Sequence, residues 1–528
     1  MKRLGGTDAV FLSMETPSWH QHVGGLTILE PGDRPISFES VVETIAERLV
    51  FAPKFRWKLK TVPFDLDRPV WVDDADFDVR RHIHRIAVPA PGGPKELGEV
   101  AGTLLSTQLD RRRPLWELWY LEGIVGGKVA LLLKYHHCLL DGVSGASLAT
   151  ALLDLEPNPA PGAMLMTPPP EDQQHAGEDP GDLALVLQAL GTGMRRPLRA
   201  ARYMTTLALK GSAMVGTMRR VESSRAVLRA PKTPFNAGIG PRRELAFASV
   251  SMKDVKALKE LHGVKVNDVV LALVGGTLRS YLSKLGELPE AALVCGVPVS
   301  TRAEGDTTQD NQISTMFTSL ATDVADPVER LKAVHASTQG AKEMQRAIGA
   351  RQIQSIGEVA SPLLLGTAIR TLYRTEMMSR SPLRINTLVS NVPGPPVDLY
   401  ACGAKVTGIF ASSVILEGMG LNVTVMSYGD RLDFGLHVDP DLVPDPWVIA
   451  GAVPEAMADL MAASGLGEAT PVADPFAVRP AAGEEAAAAE PVVRRATKSR
   501  PAGARRPGPS ARAGVGARSG GVAPRAKG

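Results

Sequence analysis

His136 and His137, with a carboxylate four residues on at Asp141 and a glycine at 142, are the residues of this 528-residue chain best suited to chemistry. Imidazole titrates near pH 6.5, so a useful fraction is neutral at cell pH and can take a proton from a hydroxyl. Residues 129–135, Val-Ala-Leu-Leu-Leu-Lys-Tyr, form an apolar run of strand length, and residues 145–153 have helical composition. The pair therefore sits where a strand ends. Successive strand side chains point to opposite faces, so only one of the two can enter a given cleft. The spacing His137-x-x-x-Asp141-Gly142 favours His137 as the base, with His136 in support. Gly142 permits a tight turn beside it, and Asp141 can orient a neighbouring group.

Three other readings of these residues stay open at this level. A histidine pair can bind metal, but adjacent strand residues diverge and no third or fourth ligand lies at a recognisable spacing. Satisfied structural histidines are the default for an isolated pair. Cys138 is a formal nucleophile, although the apolar run beside it points to a buried, unreactive thiol.

The surrounding elements divide the chain. A first segment, 1–160, holds the histidines, and 161–240 joins a Pro-rich, then acidic, linker to a basic amphipathic stretch. Residues 186–230 contain nine Lys or Arg, among them Arg195, Arg196, Arg199 and Arg202, against the single acid Glu222. That stretch reads equally as a membrane-surface helix and as a packed crossover with a solvated basic face. In 241–467, residues 245–252 read as a strand, 253–261 and 269–285 as helices, and 293–299, 421–428 and 432–438 as strands. The last two are joined by the turn Gly429-Asp430. Mixed helices and strands make the fold α/β.

Composition sets further bounds. With 44% hydrophobic residues the chain can bury a large core in more than one domain. Three scattered cysteines give neither a disulfide framework nor a zinc pattern, and a reducing cytoplasm is the simplest setting. No signal-peptide core or uninterrupted apolar run of spanning length is visible, so membrane contact is expected to be peripheral. Residues 491–528 carry ten Lys or Arg and no acid, which leaves residues 1–490 with 49 basic against 56 acidic groups, a charge of −7. The tail, 468–528, is expected to be disordered and basic, either an arm for anionic lipid or a solvated appendage. Nothing beside it reads bases, so sequence-specific nucleic-acid binding is not expected.

The motif His136-His137-x-x-x-Asp141-Gly142 resembles the HHxxxDG signature of the bacterial wax ester synthase/diacylglycerol O-acyltransferases. Pro114-Leu115-Trp116, preceded by Arg111-Arg112-Arg113, is similar to the family's PLW element, and Asn267-Asp268 to its ND element. The opening segment with Phe11-Leu12-Ser13-Met14-Glu15-Thr16, the run Ser390-Asn391-Val392-Pro393-Gly394-Pro395 and residues 298–302 and 420–428 also match, in family order over roughly residues 1–465. HHxxxDG alone is shared with peptide-synthetase condensation domains; the combination is more specific.

The resemblance implies two chloramphenicol-acetyltransferase-like domains with mixed sheets and an active-site channel between them. It implies acyl-CoA as co-substrate, no resident cofactor, and diacylglycerol or a fatty alcohol as acceptor, met peripherally at the inner membrane face or a lipid droplet. His137 becomes the general base and Asp141 a loop-shaping group, with Arg302 as its partner. Asn267 and Asp268 are candidates for the channel or for helix capping, and Pro114, Leu115 and Trp116 for its wall. The rivals are a condensation-type enzyme using carrier-bound substrates and a non-catalytic lipid-droplet binding protein.

Overall fold

The computed structural model describes residues 2–32, 35–140, 153–159, 168–193, 230–300, 313–348, 366–367, 371, 375 and 385–477. The N-terminal half is built on β1 (Lys2–Arg3), α1 (Gly6–Met14), β2 (His22–Glu30), α2 (Phe38–Arg48), β3 (Trp57–Lys60) and β4 (Val70–Asp73). β5 (Ile83–Ala87), α3 (Pro94–Leu105), β6 (Trp116–Glu122), β7 (Val129–His136) and α4 (Asp182–Gly193) complete it. The C-terminal half follows with β8 (Glu244–Ser251), α5 (Met252–His262), α6 (Val266–Leu285), β9 (Val294–Ser300), β10 (Ile313–Ser319) and α7 (Pro327–Ile348). Its remaining elements are β11 (Thr387–Val392), β12 (Tyr400–Ala401), β13 (Ala404–Ser412), β14 (Leu421–Tyr428), β15 (Arg431–Val438) and α8 (Pro446–Ala463).

These elements make two six-stranded sheets, ordered β12-β13-β2-β7-β6-β5 and β10-β9-β11-β14-β15-β8, and a small sheet β1-β4-β3. Both large sheets are mixed: β5 runs parallel to β6, and β11 runs parallel to β9 and β14. The α/β class with mixed sheets is thus the observed one. Helix ends follow side-chain chemistry. Ser251 caps α5 through Asp254 N–H, and left-handed Gly263 and Gly286 end α5 and α6.

Sequence boundaries do not follow the sheets. β13 lies in the C-terminal half, yet it pairs antiparallel with β2 from Lys405↔Glu30 to Ser412↔Gly24. From there it reaches the second sheet. Asp433 of β15, fully buried, accepts from the Ile409 backbone N–H (2.9 Å), Ser249 Oγ (2.6 Å) and Arg431 Nε (2.7 Å). Gly435 lies so close to β13 that a Cβ there would collide with the Ala411 carbonyl. A second close approach seats α3 on β8, where a Cβ on Gly98 would meet the Leu245 carbonyl.

Of the segment assigned to a disordered tail from residue 468, Thr470, Pro475 and Phe476 are held against the rest of the chain. Asp254 accepts from the N–H (2.6 Å) and Oγ1 (2.7 Å) of Thr470, and Phe476 stacks on Phe247 with ring centroids 5.5 Å apart. A buried carboxylate and an aromatic side chain thus give these residues partners that composition alone does not reveal. The remainder, 478–528, lies outside the described residues, as does the basic stretch 194–229. Just before the Pro-rich linker Asp154 bridges to Tyr400 and pairs with Arg48, and within it Ala176 N–H donates to Asp73.

Candidate active site

β7 carries the histidines out of the sheet at its C-terminal end. It is held on both sides, by β2 with His22 opposite His136 and by β6 with Trp116 opposite Tyr135. The ladder extends one step further: His137 N–H donates to Gln21 O (2.7 Å), and His136 N–H donates to Leu115 O (3.0 Å). The two rings meet different surroundings. His137 stacks on Phe11 of α1, with centroids 4.2 Å apart and planes 18° from parallel.

His136 is enclosed, with its Nδ1 accepting from Cys138 N–H (3.1 Å). That bond leaves the proton of the neutral ring on Nε2. Nε2 faces the Glu15 carboxylate at 3.8 Å, beyond hydrogen-bond length. Burial pushes His136 well below the ordinary histidine range, and the Arg111 cation and His137 add to the effect. Glu15 is in turn gripped by Arg111 through Nε (3.0 Å) and Nη2 (2.6 Å). Glu15 and Arg111 lay in segments singled out from sequence, but their pairing across the fold was not legible there. Burial raises the Cys138 thiol well above its ordinary range, so it lacks the thiolate a nucleophile needs.

The PLW element supports this strand end from behind. Leu115 is fully buried, and Trp116 donates Nε1–H to Phe55 O (2.8 Å) while stacking on His82 at 4.7 Å. Its neighbours are the core of the N-terminal half, and Pro114 is buried with it. The ND element opens α6. Asp268 is buried at the start of α6, where its carboxylate accepts from Lys265 N–H (3.1 Å), His335 Nδ1–H (2.7 Å) and Thr338 Oγ1–H (2.8 Å). It therefore caps α6 and ties it to α7, and Asn267 beside it is half-buried. The turn after β11 is pinned to the β14–β15 hairpin, Gly394 N–H to Ser427 Oγ (3.0 Å) and Gly429 N–H to Pro395 O (3.1 Å). Asp141, Gly142 and Arg302 lie outside the described residues. Among those described, no three His, Cys, Asp or Glu side chains converge as a metal site would require.

Further buried histidines stand near the strand ends. His20 stacks on His22 (5.3 Å) and donates Nε2–H to Pro17 O (2.8 Å), while His22 donates Nε2–H to the Leu105 carbonyl (2.7 Å). His437 of β15 donates to Ser413 O at 2.6 Å. Burial, reinforced by the Arg243 cation, pushes His20 down to about 4 and His437 to about 3. Above pH 6.5 these rings are neutral folded or unfolded. Between 6.5 and about 4 the unfolded chain takes up protons that the folded one refuses, so stability falls as pH falls. The slope is on the order of 1.4 kcal/mol per pH unit for each histidine. Urea unfolding at pH 7 and pH 5 should show the loss. A His20→Gln, His437→Gln double variant with an unchanged slope would contradict the attribution.

Known proteins resemble this chain over most of its length. The family model for the wax ester synthase/diacylglycerol acyltransferase catalytic domain matches residues 4–270, and that for the WS/DGAT C-terminal domain matches 309–461. A Mycobacterium tuberculosis protein named as a diacylglycerol O-acyltransferase is 38% identical over 475 residues, 88% of this chain and 91% of its own. The solved wax ester synthase/diacylglycerol acyltransferase from Marinobacter aquaeolei VT8 is 29% identical with a TM-score of 0.63, covering 88% of this chain and 100% of that one. The starter condensation domain of rhizomide synthetase shares the fold at 12% identity and a TM-score of 0.52, covering 89% and 96%.

Proposed function

Because this chain belongs to the wax ester synthase/diacylglycerol acyltransferase family, we propose that it moves a long fatty acyl group from CoA to diacylglycerol, a long-chain alcohol or both, with His137 as general base. The observation that carries this reading is the catalytic-domain match over residues 4–270, which contains the paired histidines at the end of β7. The acceptor hydroxyl attacks the thioester carbon as its proton passes to His137. The departing thiolate of CoA then takes that proton back. A thioester is already activated, so aligning two reactants and excluding water supplies much of the remaining acceleration. Acyl-CoA serves as co-substrate, and the reaction needs no resident cofactor. The condensation-domain likeness carries fold and not substrate.

The acceptor is a lipid, and the enzyme is proposed to meet it as a peripheral protein at a cytoplasmic lipid surface. Helix α4 supports this. Leu185 and Ala189 anchor one face on the small sheet, while Leu183, Leu187 and Leu190 on the other are 74%, 61% and 56% exposed. Phe64, on the adjoining turn, is 83% exposed. Contiguous exposed apolar side chains of this kind mark interaction surfaces, and the sequence that follows is rich in arginine. No single described helix is long and apolar enough to cross a membrane.

Purified protein incubated with palmitoyl-CoA and either diacylglycerol or hexadecanol should release CoA with at least one acceptor. Absence of thiol release with both would sink the acyltransferase reading.

A further inference from the structure

Gln21 precedes β2 and stands across from His137. The pairing His22↔His136 continues by one residue to Gln21 and His137, and the bond from His137 N–H to Gln21 O closes that step. Residues directly opposite in an antiparallel ladder project from the same face, with Cβ atoms about 5 Å apart. The Gln21 carboxamide therefore shares the face of His137, while His22 and His136 share the other. Gln21 is fully buried, and neither its Oε1 nor its Nε2 has a hydrogen-bond partner. Other buried polar atoms without a partner gather at the same strand ends: Glu15 Oε1, His22 Nδ1 and His136 Nε2.

An enclosed amide with an unmade donor and acceptor weakens a fold, and leucine would fill the same volume without that penalty. A ligand explains the amide. Beside a general base, the ligand group that needs a donor is the acyl carbonyl, whose oxygen takes up charge during attack.

We propose that Gln21 is a catalytic residue of the acyl-transfer site, its Nε2–H group donating to the acyl carbonyl oxygen. This rests on the acyl-CoA reading above. In the step, the acceptor oxygen bonds to the thioester carbon and its proton goes to His137. The carbonyl π pair moves onto oxygen, where Gln21 meets it. Collapse re-forms the carbonyl, breaks the C–S bond and returns the proton to the thiolate, leaving an ester and free CoA. Oε1 is left for a donor on either substrate.

The test measures CoA release by wild type, Gln21→Leu and Gln21→Glu with palmitoyl-CoA and the better acceptor, alongside thermal melts. Gln21→Leu should melt at or above the wild-type temperature while kcat falls roughly 10²- to 10³-fold, the loss typical of removing one oxyanion donor, and KM for palmitoyl-CoA changes little. Gln21→Glu should add a limb to the pH profile that wild type lacks, with activity falling as the new carboxyl ionises and stops donating. Should Gln21→Leu fail to fold, that limb decides the matter, since a packing role would not produce it. Wild-type kcat in folded Gln21→Leu, or a Gln21→Glu profile parallel to wild type, overturns the proposal while the acyltransferase reading stands. An inactive wild type sinks that reading first.

Discussion

His137→Ala should lower turnover by roughly 10²- to 10⁴-fold, the range lost when a positioned general base is removed, while the protein melts close to the wild-type temperature. The ring lies at the end of β7 against Phe11 and retains slight exposure, and its removal leaves the main-chain pairing of β7 with its neighbours in place. His136→Ala should show the opposite balance. That ring is enclosed and accepts the Cys138 N–H, so its removal leaves a void and an unmet donor, costing about 2–4 kcal/mol. Activity per folded molecule should fall less than in His137→Ala. Equal kcat for wild type and His137→Ala, measured on protein shown to be folded by its melting curve, would remove His137 from the chemistry.

Asp433→Ala should destabilise the protein by about 3–5 kcal/mol, the usual result of taking one partner from a buried ion pair. The carboxylate gathers Arg431, Ser249 and the Ile409 N–H at the point where β13 of one sheet lies against β15 of the other. Without it the Arg431 guanidinium, 5% exposed, keeps only its bonds to Thr407 O, Ala473 O and Ser249 Oγ. Asp433→Asn keeps the shape and some acceptor capacity and should lose less. A urea midpoint shift worth under about 1 kcal/mol for Asp433→Ala would show that the sheets are joined chiefly by other contacts.

Local periodicity made much of the framework legible. The run 421–428 is the observed β14, and the turn at Gly429-Asp430 joins it to β15 in a hairpin. Strand-length apolar runs and helix caps are properties of a few consecutive residues, so they survive without tertiary information. The insertion of β13 beside β2 was not legible, because nothing near residue 404 encodes a partner near residue 30. The same limit hid the Arg111–Glu15 grip on the space around His136, although both residues stood in segments marked from sequence. Asp268 shows it again: its type and position announce a helix start, but its bonds to His335 and Thr338 depend on where α7 packs.

The order in which the chain is made turns the β13 insertion into a problem of timing. During synthesis β2 leaves the ribosome early, but the strand that covers its edge begins only at residue 404. At roughly 5–20 residues per second, that edge waits on the order of tens of seconds. An uncovered strand edge is a template for pairing with other chains. The nascent N-terminal half therefore has its own window for aggregation, and expression should depend on chaperone supply more than the stability of the finished protein would suggest.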